Sequence, residues 1–304
     1  MLGPGCEMFG GTMPDGTIFL ESTDLRVRVS PRFGVLLDGY HRNGQPFMRP
    51  FAGEKDAFGP TDTACFPMVP FSNRVGGNTF DYEGQTYTFE PNDVPPFYIH
   101  GEGWKSDWSV MERTACSVAL EMHHEGSSCS PYTYRAAQRF TLDRNCLTMW
   151  IEVENRGGGA MPFGLGLHPY FPRTPRMTLQ AHALSWWTED DYHVPDENLP
   201  LPETVDFSEP RLLPDHGLNN CFEGWDCRAR LNWPELGLGA TIDADPIFSR
   251  YMLFSPPPDF EFVCFEPMSH TANGFHHADL GGLRRLAQGE TLAGSMRLTV
   301  EEIA

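Results

Sequence analysis

The chain has 304 residues, with 22 Lys and Arg against 41 Asp and Glu, for a formal charge of −19. A chain of this length buries a large core without staples, and so acidic a surface disfavours nucleic acid and anionic membrane, which are bound through basic patches. No run approaches the roughly 20 apolar residues of a membrane span, and Met1–Gly16 lacks both the cationic start and the apolar run of a secretory leader. The cysteines, from Cys6 to Cys264, form no CxxC pair and read as free thiols of a reducing, cytoplasmic compartment.

Period-two alternation begins at Leu25, Val27 and Val29, set between Arg26, Arg28 and Ser30. Such alternation marks half-buried antiparallel strands. The apolar, proline-bearing run Phe66–Phe71 leads into Ser72-Asn73-Arg74, and Glu83-Gly84-Gln85 joins Phe80–Tyr82 to Tyr87–Phe89 as a hairpin turn. A second rigid approach, Pro95–Ile99, ends on His100-Gly101. Asp143-Arg144-Asn145 turns one strand into Leu147–Val153, whose apolar residues alternate with Thr148, Trp150 and Glu152. Phe163, Leu165 and Leu167 share one face of the next stretch, leaving Gly164, Gly166 and His168 on the other. Glycines there predict an open floor and close approach of a ligand. The stretch 188–214 is acidic and proline-rich without alternation, and reads as an irregular surface excursion. Near the end, Phe260, Phe262, Cys264 and Glu266 share a parity on a strand that Pro267 is expected to stop. Leu280–Ala287 is the one helix expected beyond a single turn, and Met296, Leu298 and Val300 close the chain as a strand. The whole predicts an all-β chain, a large antiparallel β-sandwich with very little helix, forming one domain over 1–304.

The polar islands carry the chemistry. Glu266 ends an apolar strand face, so burial is expected to raise its pKa toward that of a general base; a carboxylate tied to an arginine or to His270 is the plain alternative. His168 is the candidate acid, and donating near neutrality asks that its pKa not lie far below 7; a satisfied core histidine is its plain alternative. Asn73, Arg74 and His100 offer donors and acceptors suited to vicinal hydroxyls. His270, His276 and His277 match no zinc spacing, so no metal is expected. Neither a GxSxG elbow, a P-loop nor a GxGxxG appears, which leaves hydrolase and nucleotide readings without support.

In this order, Pro70-Phe71-Ser72-Asn73-Arg74, His100-Gly101, Gly166–Phe171, Asn219-Asn220-Cys221-Phe222 and Phe265–His270 resemble the aldose 1-epimerase (galactose mutarotase-like) family, over roughly Gly34 to the C-terminus. The resemblance implies a cofactor-independent isomerase that interconverts the α and β anomers of a hexose, with Glu266 as base and His168 as acid. Asn73, Arg74, His100 and Asn219 would bind the sugar. The family usually has aspartate where Asn219 stands, and Asp226 is an alternative holder of that role. Two other readings stay open: a mutarotase for an anionic sugar (a hexose 6-phosphate, or a sulfonated sugar such as sulfoquinovose) and a non-catalytic carbohydrate-binding protein. Arg135, Arg139, Arg173 and Arg176 are the cations available to an anionic sugar. A small sugar is the expected partner, with no nucleic acid and no membrane; monomer and homodimer are both open.

Overall fold

The structure, a computed structural model, describes residues 16–54, 57–93 and 96–303. The reading of the first 15 residues, together with Cys6 and Pro95, lies outside them. Among the described residues the strands build two large sheets. The larger has ten strands, in the order Ile18–Glu21, Leu25–Ser30, Val35–His41, Cys65–Met68, Gly166–Pro172, Phe262–Met268, Arg250–Ser255, Leu218–Glu223, Ser185–Glu189 and Pro195–Pro200. The smaller has nine and centres on Leu238–Ala244, Thr291–Glu302, Cys146–Asn155 and Tyr134–Asp143. Every pairing is antiparallel, and short 3₁₀ turns are the helical elements among the described residues. The all-β sandwich follows.

The alternation read from the sequence is what joins the sheets. Leu147, Met149, Ile151 and Val153 point inward with Met296, Leu298 and Val300 from the neighbouring strand, against Val27, Val29, Leu167 and Phe265 from the larger sheet. Each such fully buried aliphatic or Phe side chain contributes roughly 1.5–3 kcal/mol relative to exposure. Both predicted turns form, with Glu83 and Arg144 at positive φ.

Three expectations need correction. The excursion over 188–214 holds two edge strands, Pro195–Pro200 on the larger sheet and Arg211–Leu212 on the smaller. Both are largely exposed; an edge strand buries no face, so it shows no alternation, and it tolerates proline. The expected helix at Leu280–Ala287 is a 3₁₀ turn, Leu280–Gly282, followed by the strand Arg284–Leu286. Finally, Pro267 does not end its strand, which runs from Phe262 to Met268, and Phe260 lies exposed before it.

The larger sheet is covered on both faces near its middle. Gly166–Pro172 is buried throughout, and Phe262–Met268 is buried after its first residue. The second face carries its own apolar cluster, including Phe66, Met68, Trp104, Tyr170, Met252 and Cys264. That face holds the polar islands.

Candidate active site

His168 and Glu266 stand on adjacent central strands. The register pairs Gly166 with Met268 and Tyr170 with Cys264, so the same register sets His168 opposite Glu266. Ladder pairs are missing only across this middle stretch, where Pro169 and Pro267 bring no N–H to the ladder. The side chains meet there: His168 Nε2 lies 3.2 Å from Glu266 Oε1. Met252 flanks Glu266 on one side, and Phe66 flanks His168 on the other. The imidazole packs against both Phe66 (centroids 4.2 Å) and Tyr170 (4.8 Å) at shallow interplanar angles, and those two rings also meet each other at 6.1 Å. Its Nδ1 is buried without a hydrogen bond among the described residues. The side chains keep 9% and 3% exposure, so a ligand meets them at the floor of the face.

Burial dominates the electrostatics. It pushes Glu266 up to about 8, with the Arg74 charge opposing, and drives His168 down to about 3. The sequence expectation for Glu266 agrees in direction. That for His168 does not, because the ring is buried against Phe66 and Tyr170 and the Arg49 charge adds to the effect of burial. The unliganded pair therefore rests as carboxylic acid and neutral imidazole, holding one acidic proton between two adjacent heavy atoms. Cys264 completes a cluster with them, the possible ligand atoms lying within 4.8 Å of one another. Burial raises the Cys264 thiol well above its ordinary pKa, which disfavours the thiolate that a metal would require.

The loop after Phe71 supplies the neighbouring wall. Asn73 N–H donates to His100 Nδ1 at 3.0 Å, and His100 N–H donates to the Asn73 carbonyl at 3.0 Å. His100 is thereby held as the Nε2–H tautomer, its ring 5.4 Å from that of His168, and burial keeps it neutral. Asn73, at φ 62°, spends its Oδ1 on the Arg74 N–H and leaves its NH₂ without a partner among the described residues. Arg74 is half-buried, and its guanidinium makes no hydrogen bond or ion pair among the described residues. Its charge is felt by Glu266 and by Glu189. His270 braces this loop from behind, accepting from Ser72 N–H at 2.9 Å and donating from Nδ1 to the Thr271 carbonyl. It takes no part in the pair.

The glycines beside His168 do not form an open floor. A Cβ on Gly164 would lie 2.1 Å from the His270 ring, and one on Gly166 would lie 2.2 Å from Ser72 Oγ. Their missing side chains admit these bracing residues rather than a ligand.

Asn219 reaches the same face at greater distance. It pairs with Phe254, which pairs with Cys264, so two strand spacings, on the order of 10 Å, separate it laterally from the Glu266 strand. Asp226 is not there: it is exposed, caps the Arg228 N–H, and lines a separate surface cavity of about 350 Å³ with Gln180 and Arg230. The four arginines available to an anion are also engaged elsewhere. Arg135 pairs with Glu121 and Glu152, Arg139 with Glu112, and Arg176 with Glu235. Arg173 donates to Ser255 Oγ and to the Pro214 and Pro256 carbonyls.

Sequence reasoning missed the far wall. Glu223 accepts from the Trp187 indole and from Thr271, and pairs with Arg250 at 2.7 Å. Trp187, half-exposed, stands on the same face, its indole N–H donating to Glu223. The cue was available in the paired tryptophans Trp186-Trp187, one of which must face away from the core; register was not.

The model of the family described as aldose 1-epimerase matches residues 25–299. The uncharacterized protein YphB of Escherichia coli (strain K12) is 37% identical over 290 residues, covering 93% of this chain and 98% of YphB. A solved structure from Escherichia coli K12, provisionally assigned as an aldose 1-epimerase, superposes with TM-score 0.89 at 36% identity over 94% of this chain and 99% of that one. A galactose mutarotase-like protein from Clostridium acetobutylicum shares the fold at TM-score 0.86 and 16% identity, covering 99% of this chain and all of its own (100%). With a match that spans nearly the whole sandwich, the chain belongs to the aldose 1-epimerase family.

Proposed function

We propose that the protein is a mutarotase, interconverting the α and β anomers of a neutral hexose by general acid–base ring opening and reclosure. The observation that carries this reading is the 3.2 Å contact between His168 Nε2 and Glu266 Oε1 at the floor of a polar-rimmed aromatic face. Anomerisation needs one proton removed from O1 and one delivered to the ring oxygen, O5, two atoms about one bond angle apart on C1. An adjacent acid and base suit that demand.

The resting pair holds its proton on Glu266. Transfer across the 3.2 Å contact gives carboxylate and imidazolium, a form that the Arg74 charge favours. Glu266 then takes the O1 proton while His168 protonates O5, and the C1–O5 bond breaks to leave the open-chain aldehyde. Rotation about C1–C2 presents the other carbonyl face. On reclosure the O5 hydroxyl attacks C1, returning its proton to His168, and O1 recovers a proton from Glu266. Reclosure leaves carboxylate and imidazolium, and return of the proton across the His168–Glu266 contact restores the resting pair. His100 Nε2–H, the Asn73 amide and the Arg74 guanidinium would hold the hydroxyls, and this positioning contributes beyond the proton transfers themselves. Asn219 would meet the far end of the sugar. The engagement of Arg173 and Arg176 elsewhere counts against an anionic substrate held by those two residues.

The test is the approach to anomeric equilibrium of freshly dissolved α-glucose and α-galactose, followed by polarimetry or NMR. The expected result is acceleration in proportion to protein, surviving dialysis against EDTA. No acceleration across neutral, phosphorylated and sulfonated aldoses overturns the proposal.

A further inference from the structure

Glu189 ends the strand Ser185–Glu189, near the edge of the larger sheet. Ser185 pairs with Glu223 and Trp186 with Phe222, and the same antiparallel register carries Glu189 to the side of Asn219. The Trp187 indole reaches Glu223, whose carboxylate also holds Arg250, so this parity of the strand faces the His168–Glu266 side of the sheet. The irregularity opposite Glu189 places its extra residue in the partner strand, between Pro195 and Asn198, and leaves this parity intact. Glu189 therefore belongs to the face of the candidate site.

Its carboxylate is only half used. Oε1 lies 2.8 Å from His193 Nδ1, on a turn where Asp190 Oδ1 accepts the Tyr192 and Val194 N–H groups. Tyr192 in turn meets Phe97 edge-to-face, tying this turn to the segment that carries His100. Oε2 is buried without any hydrogen-bond partner among the described residues. A buried acceptor without a donor is unfavourable, and native structures rarely leave one unsatisfied except where another group completes it. The Arg74 guanidinium is the complementary case, a half-buried donor that makes no ion pair among the described residues. The two charges act on one another, yet they do not close into a salt bridge. A hydroxylated ring placed between them would accept from Arg74 and donate to Glu189. Asp190, adjacent in the chain, adds a second negative charge acting on Arg74.

We propose that Glu189 is a substrate-reading residue. Its free oxygen accepts a hydrogen bond from a hydroxyl of a neutral sugar held opposite by Arg74, and its charge turns away phosphorylated or sulfonated sugars. Asn219, its neighbour on the same face, contributes a neutral amide beside that carboxylate. This rests on the mutarotase reading and deepens it.

The experiment compares full-length wild type, Glu189→Gln, and Glu189→Gln combined with Asn219→Asp, on galactose, glucose and glucose 6-phosphate. Circular dichroism and thermal melting confirm that each variant is folded. Losing a charged acceptor should raise KM for the neutral sugars about tenfold while kcat stays within about threefold. KM for glucose 6-phosphate should fall in the same variant. Restoring a carboxylate at the neighbouring position should bring the neutral-sugar KM back to within about threefold of wild type. A merely structural Glu189 would not produce that rescue. Active wild type with an unchanged KM in Glu189→Gln overturns the proposal, as does a KM that rises but is not rescued. Should wild type accelerate no anomerisation, the enzyme reading fails separately. Galactose binding by saturation-transfer NMR then decides, and a Glu189→Gln variant that binds as tightly as wild type overturns the role of Glu189.

Discussion

The two sheets share one interior and treat their other faces in opposite ways. On the smaller sheet the outward charges neutralise one another: Arg135 with Glu121 and Glu152, Arg139 with Glu112, Arg230 with Glu301. Its strand Cys146–Asn155 keeps strict alternation between buried and half-exposed positions. On the larger sheet the second face is covered, and its polar groups are left incomplete. Arg74 has no acid within ion-pair distance, while His168 Nδ1 and Glu189 Oε2 have no hydrogen-bond partner, all among the described residues. The comparison teaches that hydrogen-bonding capacity, more than charge count, separates a solvated face from one built for a ligand. Paired surface charges are turned toward each other and water. Unpaired buried groups are turned toward something else.

The largest effect should come from breaking the covered face at its centre. Glu266→Gln keeps the shape of the side chain and removes its proton chemistry, so kcat should fall by roughly 10²–10⁴-fold with sugar binding retained. Polarimetry reads the rate and NMR titration the binding. An undiminished rate would remove Glu266 from the mechanism and leave the covered face as packing alone.

A pH profile sharpens the same contrast. The pair works in its one-proton state. Above the raised Glu266 pKa of about 8 that proton is lost from the free protein, and kcat/KM should fall about tenfold per pH unit. On the acid side burial holds His168 down, so a second proton binds only far below neutrality. The bell that an unperturbed carboxylate and imidazole would give therefore becomes a plateau, from about pH 5 to about pH 7.5, with an alkaline limb. A rate that rises through pH 8 and stays high would show that the pair does not hold this proton.

How much of this was legible in the sequence follows the same division. Leu25–Ser30, Cys146–Asn155 and Thr291–Glu302 each have one buried face, so their alternation announced them. Gly166–Pro172 is buried on both faces and shows little alternation, and its importance was visible only through His168. Pro195–Pro200 has neither face buried and gave no signal. At the site, parity was readable: Glu266 and His168 each stand on the face expected of them. Register was not, because it depends on which distant strands pair. So Asp226 looked as available as Asn219, and Glu189 passed as surface charge until Asn219 was placed beside it. The depressed pKa of His168 was hidden for a related reason, since Phe66 stacks on it from a strand about a hundred residues away.

The smallest effect should come from the solvated face, and its smallness is the point. Arg135 touches three acids, at 2.7 Å to Glu121, 3.0 Å to Glu152 and 3.9 Å to Glu154. By contact alone it is a well-connected arginine. Yet it keeps water on one side, its partners do too, and exposed pairs are offset by hydration and side-chain entropy. Arg135→Ala should therefore lower stability by only about 0.5–1 kcal/mol in urea unfolding, by less still at 1 M salt, and should leave KM and kcat unchanged. A loss above about 3 kcal/mol, the range of a broken buried pair, would mean that this face is not solvated in the sense argued. A shift in KM would be more damaging, since it would couple the paired charges to the sugar and erase the distinction between the two faces.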